Sequence, residues 1–312
     1  MEISVLMASF KRQDILRKTL ESLKKVNSRG IQWEILLIDN ANDAKTKTLV
    51  EEFKSSLPIH YLVENRKGKN SSLNQAITKA QGDLFIFTDD DVIVDSNWLK
   101  EYQEGVKRWP QFSVFGGRIL PLWPDGMKPF PNINKSFFQS AYSIADWSFK
   151  EGPYEAGKVW GPNMAIRKKI FDQDYCFNEK VGPSGNNYIM GSETELTKRL
   201  ENDGFKSVYL PKALVHHQIR PEQMSQQWLY QRAFRYGRAD TFHEIHPHTA
   251  MFFGAPRYMY RLLLEFLVLR WKAILAKNES EAFNLMIKYW MTKGRIYQYR
   301  CQPKKVRDKD DE

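Results

Sequence analysis

Two cysteines, Cys176 and Cys301, are all that 312 residues contain, and neither has a Cys-x-x-Cys spacing or a His-rich neighbourhood. A disulfide framework and a cysteine-built zinc site are thereby excluded, and a reducing compartment is expected. No basic segment followed by a long apolar stretch opens the chain. Residues 1 to 10 read as a strand instead, so no secretory signal is expected and the cytoplasm is the expected location. No Gly-x-Gly-x-x-Gly follows Met7, and Gly-x-x-x-x-Gly-Lys-Ser/Thr is missing throughout, which argues against a dinucleotide redox enzyme and a P-loop NTPase. Low-complexity tracts and internal repeats are lacking too. With 42% hydrophobic and 27% charged residues the chain is globular, and its length suits one principal domain with a smaller appendage.

Positive charge is in excess, at a formal net +10, but it is unevenly placed. From Arg257 to Arg307 twelve Lys and Arg face the three acids Glu265, Glu279 and Glu281, so the rest of the chain is close to neutral. There is no aromatic-and-Gly recognition strand and no helix-turn-helix signature. Nucleic acid is therefore not the expected partner, and binding it through the basic tail is kept as an alternative. His243, His246 and His248 read as a polar turn in preference to a metal site.

The chain is organised around Gly82-Asp83-Leu84-Phe85-Ile86-Phe87-Thr88-Asp89-Asp90-Asp91. Leu84 to Phe87 form a short apolar run, as in a strand buried on both faces of a parallel sheet, and three acids emerge at its carboxyl end. Ligands of open α/β sheets bind at that end, and adjacent carboxylates repel unless a cation neutralises them. A divalent metal and a solvated turn leading into a helix are the two readings. Around this strand, apolar runs at Ile3–Met7, Ile35–Ile38 and His60–Val63 alternate with helical patterns. Those patterns are Leu16, Leu20 and Leu23 behind a cap at Asp14, residues 45 to 53, and Leu73, Ala76, Ile77 and Ala80. The first ~100 residues thus read as a Rossmann-like parallel sheet.

Three further clusters lie at strand ends or helix starts. Ala8-Ser9-Phe10-Lys11-Arg12 leaves the first strand. Asp39 ends the second, where its carboxylate either accepts from a base or ribose or caps a turn. Asn65-Arg66-Lys67-Gly68-Lys69-Asn70 precedes a helix N-terminus, a place for a pyrophosphate or a plain solvated loop. Ser113–Ile119 reads as a strand crowded at Gly116-Gly117, and the Pro- and aromatic-rich residues 121 to 160 as a substrate-facing region. Residues 159 to 166 return to the sheet. After the small-residue loop Gly182–Asn187, Gly191-Ser192-Glu193-Thr194-Glu195-Leu196 opens a helix ending near Gly204. Glu193 there is either a partner of the helix dipole or a functional acid.

In this order and spacing, over roughly residues 1 to 220, these elements resemble the family 2 glycosyltransferases of GT-A fold. The block from Gly191 to Leu200, followed by His217, Gln223-Met224 and Arg235-Tyr236-Gly237-Arg238, looks most like bacterial exopolysaccharide-assembly transferases. The resemblance implies an α/β, mainly parallel mixed sheet flanked by helices. It implies a catalytic domain at 1–220, with a nucleotide-binding half at 1–120 and an acceptor half at 121–220, and a helical region at 221–312. The activity implied is inverting transfer of a sugar from a nucleotide-diphosphate donor, most often uridine-linked, with Mn²⁺ or Mg²⁺. The acceptor is a hydroxyl in polysaccharide or glycolipid assembly.

Carried over residue by residue, Asp39 matches the uracil-contacting acid, Asp89 and Asp91 the Asp-x-Asp pair, and Glu193 the catalytic base. His217 matches a His that completes the metal or pyrophosphate site in some members. Ala8, Ser9, Arg12, Lys67, Asn70 and Asp90 are expected on the nucleotide, and Trp160, Asn163 and Glu195 on the sugar and acceptor. For Trp160 packing is the other reading. Ala8 and Lys11 depart from the family's usual Pro and Asn, and Ser192 from its usual Glu. No Gln-x-x-Arg-Trp motif occurs, which favours single addition over polymerisation. A sugar nucleotidyltransferase would share the sheet and its acids and is the alternative enzyme.

In the tail, Met259, Leu262, Leu263, Phe266, Leu267, Leu269 and Leu275 form an apolar segment, but Arg261, Glu265, Arg270 and Lys272 interrupt it too closely for a helix that spans a membrane. Two outcomes are expected for it. Either it lies on the cytoplasmic membrane face near a lipid-linked acceptor, or it packs on the catalytic domain or a second subunit.

Overall fold

The computed structural model describes residues 1–130, 133–183, 188–242 and 249–301. The three-histidine turn at 243–248 and most of the loop after Gly182 lie outside these residues. The chain divides into two compact units, Met1–Pro124 with Tyr142–Ile219, and Asp125–Ala141 with Arg220–Glu312. Part of the segment read as substrate-facing thus groups with the C-terminal residues.

The first unit is built on a nine-stranded sheet. Its strands are β1 (Ile3–Ser9), β2 (Trp33–Asp39), β3 (Ile59–Val63), β4 (Leu84–Asp89), β5 (Val92–Val94), β6 (Val114–Leu122), β7 (Gly152–Tyr154), β8 (Met164–Arg167) and β9 (Ser207–Gln218). They lie in the order β3-β2-β1-β4-β8-β6-β9-β5, with β7 also on β9. The first four are mutually parallel, whereas β8 runs antiparallel to both β4 and β6. Helices α1 (Gln13–Leu23), α2 (Ala44–Phe53) and α3 (Lys69–Lys79) make the crossovers between the parallel strands. α4 (Trp98–Arg108), the last residue of α5 (Lys135–Tyr142), the short α6 (Lys168–Phe171) and α7 (Ser192–Asn202) complete the unit.

Alternate residues of a strand face opposite sides, and here both sides are covered. Val5, Met7, Ile35, Leu37, Leu84 and Ile86 belong to one buried cluster; Leu6, Leu36, Ile38, Phe85 and Phe87 belong to the other. Each such side chain contributes about 1.5–3 kcal/mol. In the second cluster Phe85 stacks on Phe171, with ring centroids 5.4 Å apart.

Asp14 does not cap α1. The helix begins at Gln13, and Asp14 sits within its first turn. Gly117 is crowded as expected, by a side chain and by backbone: a Cβ there would stand 2.5 Å from Asn163 Cγ and from the Ala213 carbonyl oxygen.

The second unit contains most of α5, a two-stranded hairpin of β10 (Met251–Phe252) and β11 (Ala255–Pro256), and three helices: α8 (Gln226–Phe242), α9 (Arg257–Leu275) and α10 (Glu279–Cys301). α8 and α10 cross at two glycines. A Cβ on Gly237 would come 2.8 Å from the carbonyl carbon of Met291, and one on Gly294 2.9 Å from that of Phe234. α9 packs on the same helix through Met259 against Ile296 and Tyr299, and through Phe266 and Ala273 against Ala282 and Leu285. Among the described residues no helix is long and apolar enough to cross a membrane.

Candidate active site

Parallel register brings the carboxyl ends of three strands level: Ser9 is opposite Asp39, and Ala8 is opposite Asp89. From this edge the three acids separate. Asp90 turns inward, where Ser9 Oγ donates to it at 2.7 Å and Arg12 Nη1 at 3.0 Å. Burial, opposed by Arg12 and reinforced by Asp91, pushes its carboxyl up to about 6. Arg12 Nη1 also reaches Asp91, at 3.1 Å. Ser9, Arg12 and Asp90 therefore lock the turn among themselves, with each Asp90 oxygen accepting a hydrogen bond within it.

Asp89 points to Lys69 instead, with Nζ 2.5 Å from its Oδ1. The same ammonium donates to Glu193 Oε1 at 2.9 Å, and Ser192 Oγ donates to Oε2 at 2.9 Å. Burial would drive the Glu193 carboxyl up, but the charge and hydrogen bond of Lys69 outweigh it and hold Glu193 below the usual carboxylate range. Lys69 is raised in turn: burial opposes its charge, and the two carboxylates overcome that. Glu193 fits because its neighbour is Gly161, where a Cβ would stand 2.6 Å from Glu193 Cδ. Gly161→Ala should displace the carboxylate by about 1 Å and lower turnover by about 10²-fold, read in initial rates, with the melting temperature little changed. Unchanged turnover would show that the reaction does not depend on where Glu193 stands.

His217 lies on β9 beside Val92 of β5. Its Nδ1 stands 2.8 Å from the Tyr142 carbonyl oxygen, which can only accept, so Nδ1 carries a proton and Nε2 faces Asp91 Oδ1 at 3.5 Å. Burial lowers the imidazole pKa, but Asp91 more than reverses this and raises it. A ring nitrogen and a carboxylate oxygen facing each other, with the ring oriented by a backbone carbonyl, form a donor pair for a cation, proton or metal. In this respect the residues fit a divalent ion. Among the described residues, however, no three His, Cys, Asp or Glu are grouped to hold one, and Asp89 is paired with Lys69.

Several expected site residues have other work. Asn163 is fully buried: its Oδ1 accepts from Trp98 Nε1 and the Tyr102 hydroxyl, and its Nδ2 donates to the carbonyls of Arg118 and Ala213. It is a core amide with no surface for a sugar. Asn70 is buried as well, donating to the carbonyls of Asn178 and Val181. Asp39 accepts from the backbone N–H groups of Ala41 and Asp43 and from the Tyr61 hydroxyl, so the buried carboxylate closes its own turn. Trp160 donates to the Gly157 carbonyl and meets Trp147 edge to face, which is the packing reading. Glu195 pairs with Arg199 one turn along α7. Lys67 is exposed, and Ala8 is partly buried at the strand edge.

It is Lys69, and not the expected Lys67, that faces the acids. The available signal was Gly68 between them: at φ 126° it turns the chain just before α3.

A mainly parallel sheet with acids along one carboxyl edge, and one carboxylate supplied by a later helix, is the arrangement expected of the GT-A fold. A mannosyltransferase from Pyrobaculum calidifontis, solved with GDP-Man and Mn²⁺, shares that fold with a TM-score of 0.63 at 14% identity, over 95% of this chain and 86% of its own. The model of Glycosyl transferase family 2 matches residues 4–173, and the chain belongs to that family. It is a glycosyltransferase. Among its relatives is the glucosyl-dolichyl phosphate glucuronosyltransferase of Haloferax volcanii, 21% identical, with 76% of this chain and 75% of the relative covered. Another is the succinoglycan biosynthesis protein ExoM of Rhizobium meliloti, 23% identical over 76% and 74%.

Proposed function

We propose that this enzyme transfers a sugar, with inversion, from a nucleoside-diphosphate donor to a hydroxyl of a lipid-linked or growing glycan acceptor. The observation carrying this reading is the single ammonium of Lys69 between Asp89, at the end of β4, and Glu193, at the start of α7. It joins the sheet edge where a nucleotide binds to a carboxylate able to act as a base. The acceptor oxygen bonds to the anomeric carbon as the carbon–oxygen bond to the diphosphate breaks on the opposite face. Glu193, ionised at neutral pH, takes the acceptor proton. Lys69 keeps that carboxylate ionised and oriented, while Arg12 and Ser9 fix the turn carrying Asp90 and Asp91. Asp91 and His217 would hold Mn²⁺ or Mg²⁺, while Asp89 stays paired with Lys69. When bound, such an ion supplies charge neutralisation to the departing diphosphate.

The relative acting on glucosyl-dolichyl phosphate favours a lipid-linked acceptor. We place the catalytic residues within 1–220. Incubation with a panel of uridine and guanosine diphosphate sugars should release free nucleoside diphosphate with one of them when a polyprenyl-linked acceptor is present. Release of pyrophosphate from a nucleoside triphosphate and a sugar 1-phosphate, with no nucleoside diphosphate released from any of the donors, would make the protein a nucleotidyltransferase.

A further inference from the structure

Helix α9 is apolar on two sides, and only one of them is packed. Successive residues turn by about 100°, so Leu264, Val268, Trp271 and Leu275 line one side, about opposite Met259, Phe266 and Ala273, which meet α10, while Tyr260 near the helix start is half-buried against the Met259 cluster. On the outer side Leu264 is 67% exposed, Trp271 63% and Leu275 81%. The row spans most of a helix about 28 Å long. It continues past the helix start, because the Tyr260 ring meets Phe252 edge to face at 5.5 Å and Phe252 in turn meets Phe253 at 4.4 Å. Phe253 forms the tip of the β10–β11 hairpin with Gly254, both with positive φ, and the turn holds its ring out at 74% exposure. Tyr260 ties that tip to the helix by donating to the Phe253 carbonyl. Exposed apolar surface this continuous marks an interaction site.

Its occupant follows from the charges. Arg257, Arg261 and Lys272 are exposed on or beside the row, whereas α9 carries a single acid, Glu265. A second copy docked about a twofold axis would bring these cations against their own counterparts. An anionic bilayer complements them, and aromatic rings are favoured at its boundary.

We infer that the outer face of α9 and the Phe252-Phe253 hairpin tip dock this protein, without spanning, on a bilayer containing anionic phospholipid. In flotation the full chain should bind vesicles of mixed phosphatidylglycerol and phosphatidylcholine, ignore pure phosphatidylcholine, and detach as salt rises. Leu264→Ser with Trp271→Ser should lower partitioning by at least about tenfold, and Phe253→Asn, which tolerates the positive φ, by several-fold. Arg261→Gln and Lys272→Gln should each lower it about fivefold.

Circular dichroism matching that of the unaltered chain qualifies each variant. A folded full chain that binds neither vesicle overturns the inference, as does binding that survives Leu264→Ser with Trp271→Ser. Concentration-dependent self-association relieved by that pair would give the face to a second copy and also overturn it. The readout is lipid binding and not turnover, so failure here leaves the transfer reaction standing.

Discussion

Glu193→Gln should lower turnover by about 10²–10⁴-fold while affinity for nucleoside diphosphate and the melting temperature stay close to those of the unaltered enzyme. Gln keeps the shape of the side chain and an oxygen for Lys69, and Asp89 remains to balance the ammonium, so no buried charge is left unpaired. What is lost is the capacity to accept a proton. Single-turnover rates beside equilibrium binding of the diphosphate make the test. A joint collapse of binding and melting temperature would reduce Glu193 to a structural partner of Lys69.

Asp91→Asn should cost about 10²–10³-fold in turnover, corresponding to several kcal/mol of lost charge neutralisation on the leaving diphosphate. The amide still fills the space between Arg12 and His217 but brings no charge to either. With a nucleoside diphosphate present, Mn²⁺ should raise the melting temperature of the unaltered protein and leave that of the variant unmoved, since only a ligand bound to the native state stabilises it. Near-normal turnover in the variant would take Asp91 out of the site.

Periodicity made the sheet readable. Unbroken apolar runs at Ile35–Ile38 and Leu84–Phe87 exist because both faces of those strands are covered, and that pattern needs no tertiary information. Acids at the ends of such runs mark the edge of the candidate site for the same reason. Which side chain at that edge is available to a ligand was not legible, because availability depends on partners distant in sequence. Asn163 stands on a Gly-Pro-Asn turn that suits a ligand contact, yet Trp98 and Tyr102, more than sixty residues away, claim its oxygen. Asp39 and Asn70 are engaged in the same way by Tyr61 and by residues 178 to 181. Lys69 went unselected because composition gives Lys67 and Lys69 the same weight, and only the turn at Gly68 distinguishes the inward from the outward one.

The shared ammonium has a consequence for reading kinetics. Lys69 carries one charge and faces two carboxylates, so Asp89 and Glu193, 104 residues apart, form a single electrostatic unit. Neutralise either, and the other acquires the whole of the cation; its proton affinity and its hold on the lysine both change. Rate effects of substitutions at positions 89 and 193 will therefore not add. A loss measured at one of them belongs to the triad, and dividing it into a donor-side and an acceptor-side share has no physical meaning.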